Sequence, residues 1–396
     1  MMKRFILPVL MILLMCLPAW AMAADISIGD GETVTLSGTL TEGYNIQLGG
    51  KGTLVLDHVH MTSSGDYAAL EINGSGSLNI IYKGSNTLIN EDNYGIFAET
   101  AEITLTPGSA DALLRIDISS DGNDGIFARG LNLAEGAKVN VNSSGGTAVT
   151  AFSLHIGENA VLNATGRWHG IDVISSGIIG KNAQVNAHGG FIGLLLRIGD
   201  MTIEEGAEVT LSSDGARSLS GSPLSINIGN LLIKSEAKVD ASTDNTYAAV
   251  MIQYGSITVE EDAVLSGVNN RPDGVGLMME ETSFFQLNSD QVTLSGGTNG
   301  AVSTWLFTGY EGGPGKIQLG SDILAQHRSS AAEPWEEMTG STTGKRFFRT
   351  AKAVEELPPE IIVPETGDEA NVLLWSALAA VSMLGMMMLV RRRKSA

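Results

Sequence analysis

The chain has 396 residues, 48 of them Gly and 10 Pro, with 43% hydrophobic and 6% aromatic residues. That is too apolar for a disordered chain and too rich in Gly for an ordinary helical domain; it suits many short strands joined by tight turns. A formal net charge of −20 argues against nucleic acid as a partner.

The first 23 residues read as a secretory signal. Lys3 and Arg4 supply the positive start, Phe5 to Leu17 the apolar stretch, and Ala21-Met22-Ala23 the small-residue cleavage site. Cys16, the single cysteine, falls inside this segment, so the exported chain carries no disulfide or thiolate chemistry.

From Tyr44 the sequence repeats. Gly95-Ile96-Phe97-Ala98 and Gly125-Ile126-Phe127-Ala128 are two copies of one phrase, each behind a polar, Gly-rich corner. Looser copies open at Ile46, Leu70, Val149, Ile171, Ile192, Ile226, Val250, Val275 and Val302, a solenoid-like period. Within each repeat a second short strand follows, such as Leu131-Leu133 or Ile257-Val259. Next comes a small corner, such as Glu135-Gly136-Ala137, Glu158-Asn159-Ala160, Lys181-Asn182-Ala183 or Glu261-Asp262-Ala263, and then a third strand. Three strands per repeat, each too short to fold alone, predict one rung of a parallel β-helix whose inward side chains stack into a continuous core. The expected fold is all-β, with ten to eleven rungs over residues 24–308. Phe97 and Phe127 should then stack on one face.

Residues 309–354 read as a capping region, with Phe347 to Val354 as the closing strand, because an open solenoid end exposes unpaired strand edges. A short Pro-containing linker follows over residues 355–371. Val372 to Val390 is an uncharged apolar run long enough for a transmembrane helix, and Arg391, Arg392, Arg393 and Lys394 behind it place the C-terminal tail in the cytoplasm.

Just before that run stands Val363-Pro364-Glu365-Thr366-Gly367. A Pro-x-Thr-Gly motif, an apolar span and a basic tail, in that order, resemble the sorting signal of sortase-anchored surface proteins of Gram-positive bacteria; Val363 stands where that family usually has Leu. The resemblance implies cleavage between Thr366 and Gly367, a covalent bond from Thr366 to peptidoglycan, and a single-pass membrane precursor displayed on the cell surface. The Gly-Ile rungs, the Gly-Ala corners and the phrase Leu78 to Leu88 also resemble bacterial surface proteins with carbohydrate-binding, pectate-lyase-like parallel β-helices. That resemblance implies a right-handed helix and an extracellular polysaccharide as partner.

Two clusters are candidate sites. Glu91, Asp92, Asp121 and Asp124 fall in adjacent corners and offer the hard oxygen ligands that Ca²⁺ takes. The alternative is that Asp and Asn in these corners, including Asp66, Asn93, Asp273 and Asn299, simply build hydrogen-bonded turns. Arg167-Trp168-His169-Gly170-Ile171-Asp172 is the densest polar-aromatic phrase: one reading has Trp168 stacking on a sugar with His169 and Asp172 bonding to hydroxyls, and the alternative is a Trp covering a groove edge beside a solvated His. No catalytic set is evident. The basic residues of the rung region, among them Arg115, Arg129, Arg167, Lys181 and Arg197, have no acidic partner at a telling spacing. The expected function is a non-enzymatic, wall-anchored β-helix that binds carbohydrate or another extracellular partner. A calcium-dependent polysaccharide lyase or hydrolase, and a structural adhesin stalk, are the alternatives.

Overall fold

The computed structural model describes residues 24–215, 221–280, 282–304, 316–338 and 345–353. The secretory signal, the linker, the sorting motif Val363–Gly367, the apolar run and the basic tail lie outside the described residues. Within them the chain is a β-solenoid of about ten turns and contains no helix.

Each turn lays parallel strands against the turn before. One column of paired residues runs Tyr44, Leu70, Ile96, Ile126, Val149, Ile171, Leu194, Leu224, Val250, Leu277, Val302 along the first face. The predicted column is therefore two residues out of register at Ile46, Ile192, Ile226 and Val275. A strand has a period of two, so a two-residue slip keeps the same side inward and alternation alone does not detect it.

A second face stacks Leu54, Ile80, Leu105, Leu133, Ile156, Ile179, Ile203, Ile233, Val259 and Leu287, and a third stacks Leu114, Val139, Leu162, Val185, Val209, Val239, Leu265 and Val292. These inward columns join in one buried core running the length of the solenoid. Burying each Ile, Leu or Val contributes roughly 1.5–3 kcal/mol, and each depends on the rungs above and below to exclude water.

Corners explain the Glu-Gly-Ala grammar. The residue before each corner alanine has positive φ: Gly136 (67°), Asn159 (56°), Asn182 (54°), Gly206 (70°), Glu236 (63°) and Asp262 (62°). The alanine amide then closes a four-residue turn, as Ala137 N donates to Ala134 O and Ala263 N to Glu260 O. This is type II turn geometry, which favours Gly or Asn at its third position. The alanines themselves are fully buried, since the strands converge there.

A buried polar residue ends many third strands and organises the loop into the next turn. Asn90 accepts from the amides of Asp92 and Asn93, Ser143 from that of Gly146, and Asn269 donates to the carbonyls of Thr246, Tyr247 and Val275. Parallel stacking continues past residue 308, as Lys316–Leu319 pairs with Phe284–Leu287. Towards the far end Phe347–Lys352 pairs antiparallel with Gln291–Ser295 and Ile323–Arg328. The guanidinium groups of Arg328 and Arg349 lie 4.4 and 4.3 Å from the centre of the Trp335 ring.

Candidate functional site

The acidic corners do not converge. Asp92 accepts from the Gly65 amide, Asp121 pairs with Arg167, and Asp124 accepts from the Thr147 amide at 2.9 Å. Glu91 faces solvent. Among the described residues no group of three or more His, Cys, Asp or Glu side chains comes together to hold a metal ion. The corners are instead knitted rung to rung: Asn93 donates to Asp66 O, Asn123 to Asp92 O, and Asn299 to Asp273 O. Burial pushes the Asp124 carboxyl up despite hydrogen bonds from Thr150 and Thr147.

The Trp168 phrase splits into parts with different roles. Trp168 is 44% exposed, stacks on Phe191 at 5.3 Å and donates its indole N–H to Gly145 O. Asp172 is only 2% exposed and is held by Arg197, whose Nε and Nη2 donate to Oδ1 at 2.8 Å and Oδ2 at 2.5 Å. His169 Nδ1 lies 3.3 Å from Asp172 Oδ2, out of line for a hydrogen bond. Burial alone would raise the Asp172 carboxyl, but the Arg197 guanidinium, bonded and charged, holds it below its ordinary value. Asp172 therefore ties two rungs together and is not presented to a sugar hydroxyl. Arg197 does have an acidic partner, one turn back in the chain. Phe97 and Phe127 stack as expected, at 5.5 Å, with Tyr94 against both.

Two cavities among the described residues lie elsewhere, on the outward side of the second face. One, of about 540 Å³, is lined by Glu102, Asn132, Ser153, His155, Ile178 and Asp200 among others. A second, of about 510 Å³, is lined by residues including Lys51, Ser77, Glu102 and Arg129. The two share Glu102 and follow two outward columns. One column runs Lys51, Ser77, Glu102, Gly130, Ser153, Ser176; the other runs Thr104, Asn132, His155, Ile178, Thr202. The floor is low because Gly130 has no side chain and Ser153 and Ser176 are small. Together the cavities make a shallow groove along the solenoid axis, crossing rungs spaced about 4.8 Å apart. Asn132 Oδ1 is buried in that wall with no hydrogen-bond partner.

Sequence reading missed this groove because its members come from successive turns and share no local motif. Only the rung register brings Glu102, Gly130, Ser153 and Ser176 side by side. Comparison of the chain with protein-family models, with curated proteins and with solved structures yields no match.

Proposed function

We propose that the chain is a wall-anchored, non-catalytic surface protein whose right-handed β-helix binds a polymeric carbohydrate along the groove of its second face. The observation that carries this reading is the groove itself. It is elongated along the axis, shallow, and lined by groups that bond hydroxyls: the Asn132 amide, the Ser153 and Ser176 hydroxyls, the His155 ring and the Glu102 and Asp200 carboxylates. Its rung spacing, about 4.8 Å, is close to the length of one sugar in an extended chain. A buried acceptor without a partner, Asn132 Oδ1, favours a ligand that brings a donor.

Binding without hydrolysis is supported by distance. In the first cavity the two lining carboxylates, Glu102 and Asp200, are four rungs apart, about 19 Å along the axis, whereas paired carboxylates that cleave glycosides stand roughly 5–9.5 Å apart. Anchoring rests on the order Pro-x-Thr-Gly, apolar span, basic tail. We place sortase and peptidoglycan as partners on that ground, with the membrane holding the precursor through its C-terminal span, and the cell surface as the address.

A glycan array probed with the exported protein tests the binding reading, with and without EDTA and alongside an ultraviolet assay for unsaturated uronides. The reading expects binding to a linear glycan that is insensitive to EDTA and forms no uronide. Uronide release would establish a lyase instead, and a blank array would favour a stalk. Anchoring is checked by mass spectrometry of wall digests, where the C-terminal peptide should end at Thr366 bonded to a peptidoglycan fragment.

A further inference from the structure

Beyond the cavity, towards the C-terminal end, the solenoid surface changes character. Ile198, Ile228 and Tyr254 occupy one outward column on three successive rungs and are 56%, 49% and 55% exposed. They form a contiguous apolar ridge, unusual on so acidic a chain. Beside it runs a column of Gly199, Gly229 and Gly255, with φ of 94°, 136° and 145°. A Cβ on these glycines would lie 1.8, 1.6 and 1.7 Å from the carbonyl oxygen of the neighbouring rung, at Ser175, Gly199 and Gly229. No side chain fits there, so the column stays a trough. On its other side Asp200, Asn230 and Ser256 form a ladder: Asn230 Nδ2 donates to Asp200 Oδ1 at 2.8 Å, and Ser256 Oγ to Asn230 Oδ1 at 2.7 Å.

Asp200 belongs both to this ladder and to the lining of the groove, so the trough continues the groove. A surface with an apolar wall on one side and a polar ladder on the other matches a linear sugar chain, which has C–H faces and equatorial hydroxyls. From these observations, and resting on the carbohydrate reading above, we infer that the ridge of Ile198, Ile228 and Tyr254 is an extension subsite for a linear, uncharged glycan. The apolar wall packs against pyranose faces and the Asp200–Asn230–Ser256 ladder receives the hydroxyls. The ligand class narrows accordingly: long neutral chains gain from the extension, while short chains fill only the groove. The uncharged class follows from the Asp200 carboxylate, which stands in both ladder and groove and would repel a uronate.

The test is a length series. Affinities of β-1,4-linked glucose and N-acetylglucosamine oligomers, from disaccharide to octasaccharide, are measured for the wild type, for an Ile198→Ser/Ile228→Ser/Tyr254→Ser variant and for Asn132→Ala/His155→Ala. The wild type should bind the long oligomers about tenfold or more tightly than the short ones. The ridge variant should lose that gain while binding short oligomers as before, and the groove variant should weaken binding at every length. A ridge variant that keeps the full length dependence overturns the inference but leaves the groove reading intact. A ridge variant whose only change is a lost oligomer, seen by light scattering, overturns it as well by making the ridge a self-association surface. If the wild type binds neither series at any length, the inference falls, and the glycan array separately decides whether the groove reading falls with it.

Discussion

Replacing Gly229 by Ala tests the stacking that everything else depends on. Gly229 has φ of 136°, a region that residues with a side chain rarely occupy, and its new methyl would lie 1.6 Å from Gly199 O. The backbone strain costs of order 1–3 kcal/mol. The corner must also open by more than an ångström, which sacrifices inter-rung hydrogen bonds worth about 1 kcal/mol each. With two such bonds lost, the total is about 3–5 kcal/mol. Gly136→Ala is the matched control. Gly136 has φ of 67°, and nothing lies within 4 Å of its ideal Cβ. It pays the left-handed penalty of about 1–2 kcal/mol, partly offset by the stiffer unfolded chain, for a net cost near 1 kcal/mol. Urea titrations of both variants, read at unchanged m-value, should separate them by roughly 2 kcal/mol or more. Two variants destabilised to within about 0.5 kcal/mol of each other would show that the rungs are not stacked through this glycine column.

Other outcomes follow from single groups. Glu236→Gly and Asp262→Gly, at positive φ in corner turns, should each stabilise by roughly 0.5–1 kcal/mol in the same titration. Arg197→Ala strands the buried Asp172 carboxylate and should cost about 1–3 kcal/mol near neutral pH, discounted because Arg197 is half exposed. Its pH profile should also invert. In the wild type the depressed Asp172 pKa contributes stability above its ordinary value of 3.8 that is lost as pH falls through the lower folded value. In the variant burial dominates, so the same group stabilises at low pH and loses that contribution as pH rises. An unchanged profile would show that the pair does not couple to folding. Tyr82 is fully buried, accepts from the Lys138 amide at 2.9 Å, and burial pushes its hydroxyl up to about 12. Tyr82→Phe should cost about 1–2 kcal/mol. It should also abolish a wild-type loss of stability between the ordinary pKa of 10.0 and about 12, measured by alkaline unfolding.

How far the sequence reaches depends on the length scale of the signal. The rung grammar is local: Glu-Gly-Ala corners, Leu-x-Leu second strands and Gly-Ile-Phe-Ala phrases all lie within a few residues, and the structure places each as expected. The register of the opening strands is not local, which is why Ile192 stands where Leu194 belongs. Contacts between turns were the least legible. Asp172 and Arg197 are 25 residues apart, a separation that looks arbitrary until one turn of the solenoid is known to span it. The same holds for Lys181 with Glu205, 24 residues on. The ridge did leave a trace. Ile198-Gly199-Asp200-Met201, Ile228-Gly229-Asn230-Leu231 and Tyr254-Gly255-Ser256-Ile257 are aligned phrases of one form: apolar, Gly, polar, apolar. Exposed residues at the first place of each point to a surface column, whereas the buried Asp172 shows that a polar residue in a sugar-like phrase can serve packing alone.

Oxidative footprinting with and without a bound glycan tests the central claim most directly, because exposed reporters stand on both rival surfaces. His155 and Ile178 line the groove, and Trp168 and Tyr67 lie away from it on the exposed surface. A glycan seated in the groove should protect His155 and Ile178 and leave Trp168 and Tyr67 as reactive as in the free protein. Protection of Trp168 with His155 and Ile178 unchanged would contradict the account and place the site at the Trp168 phrase.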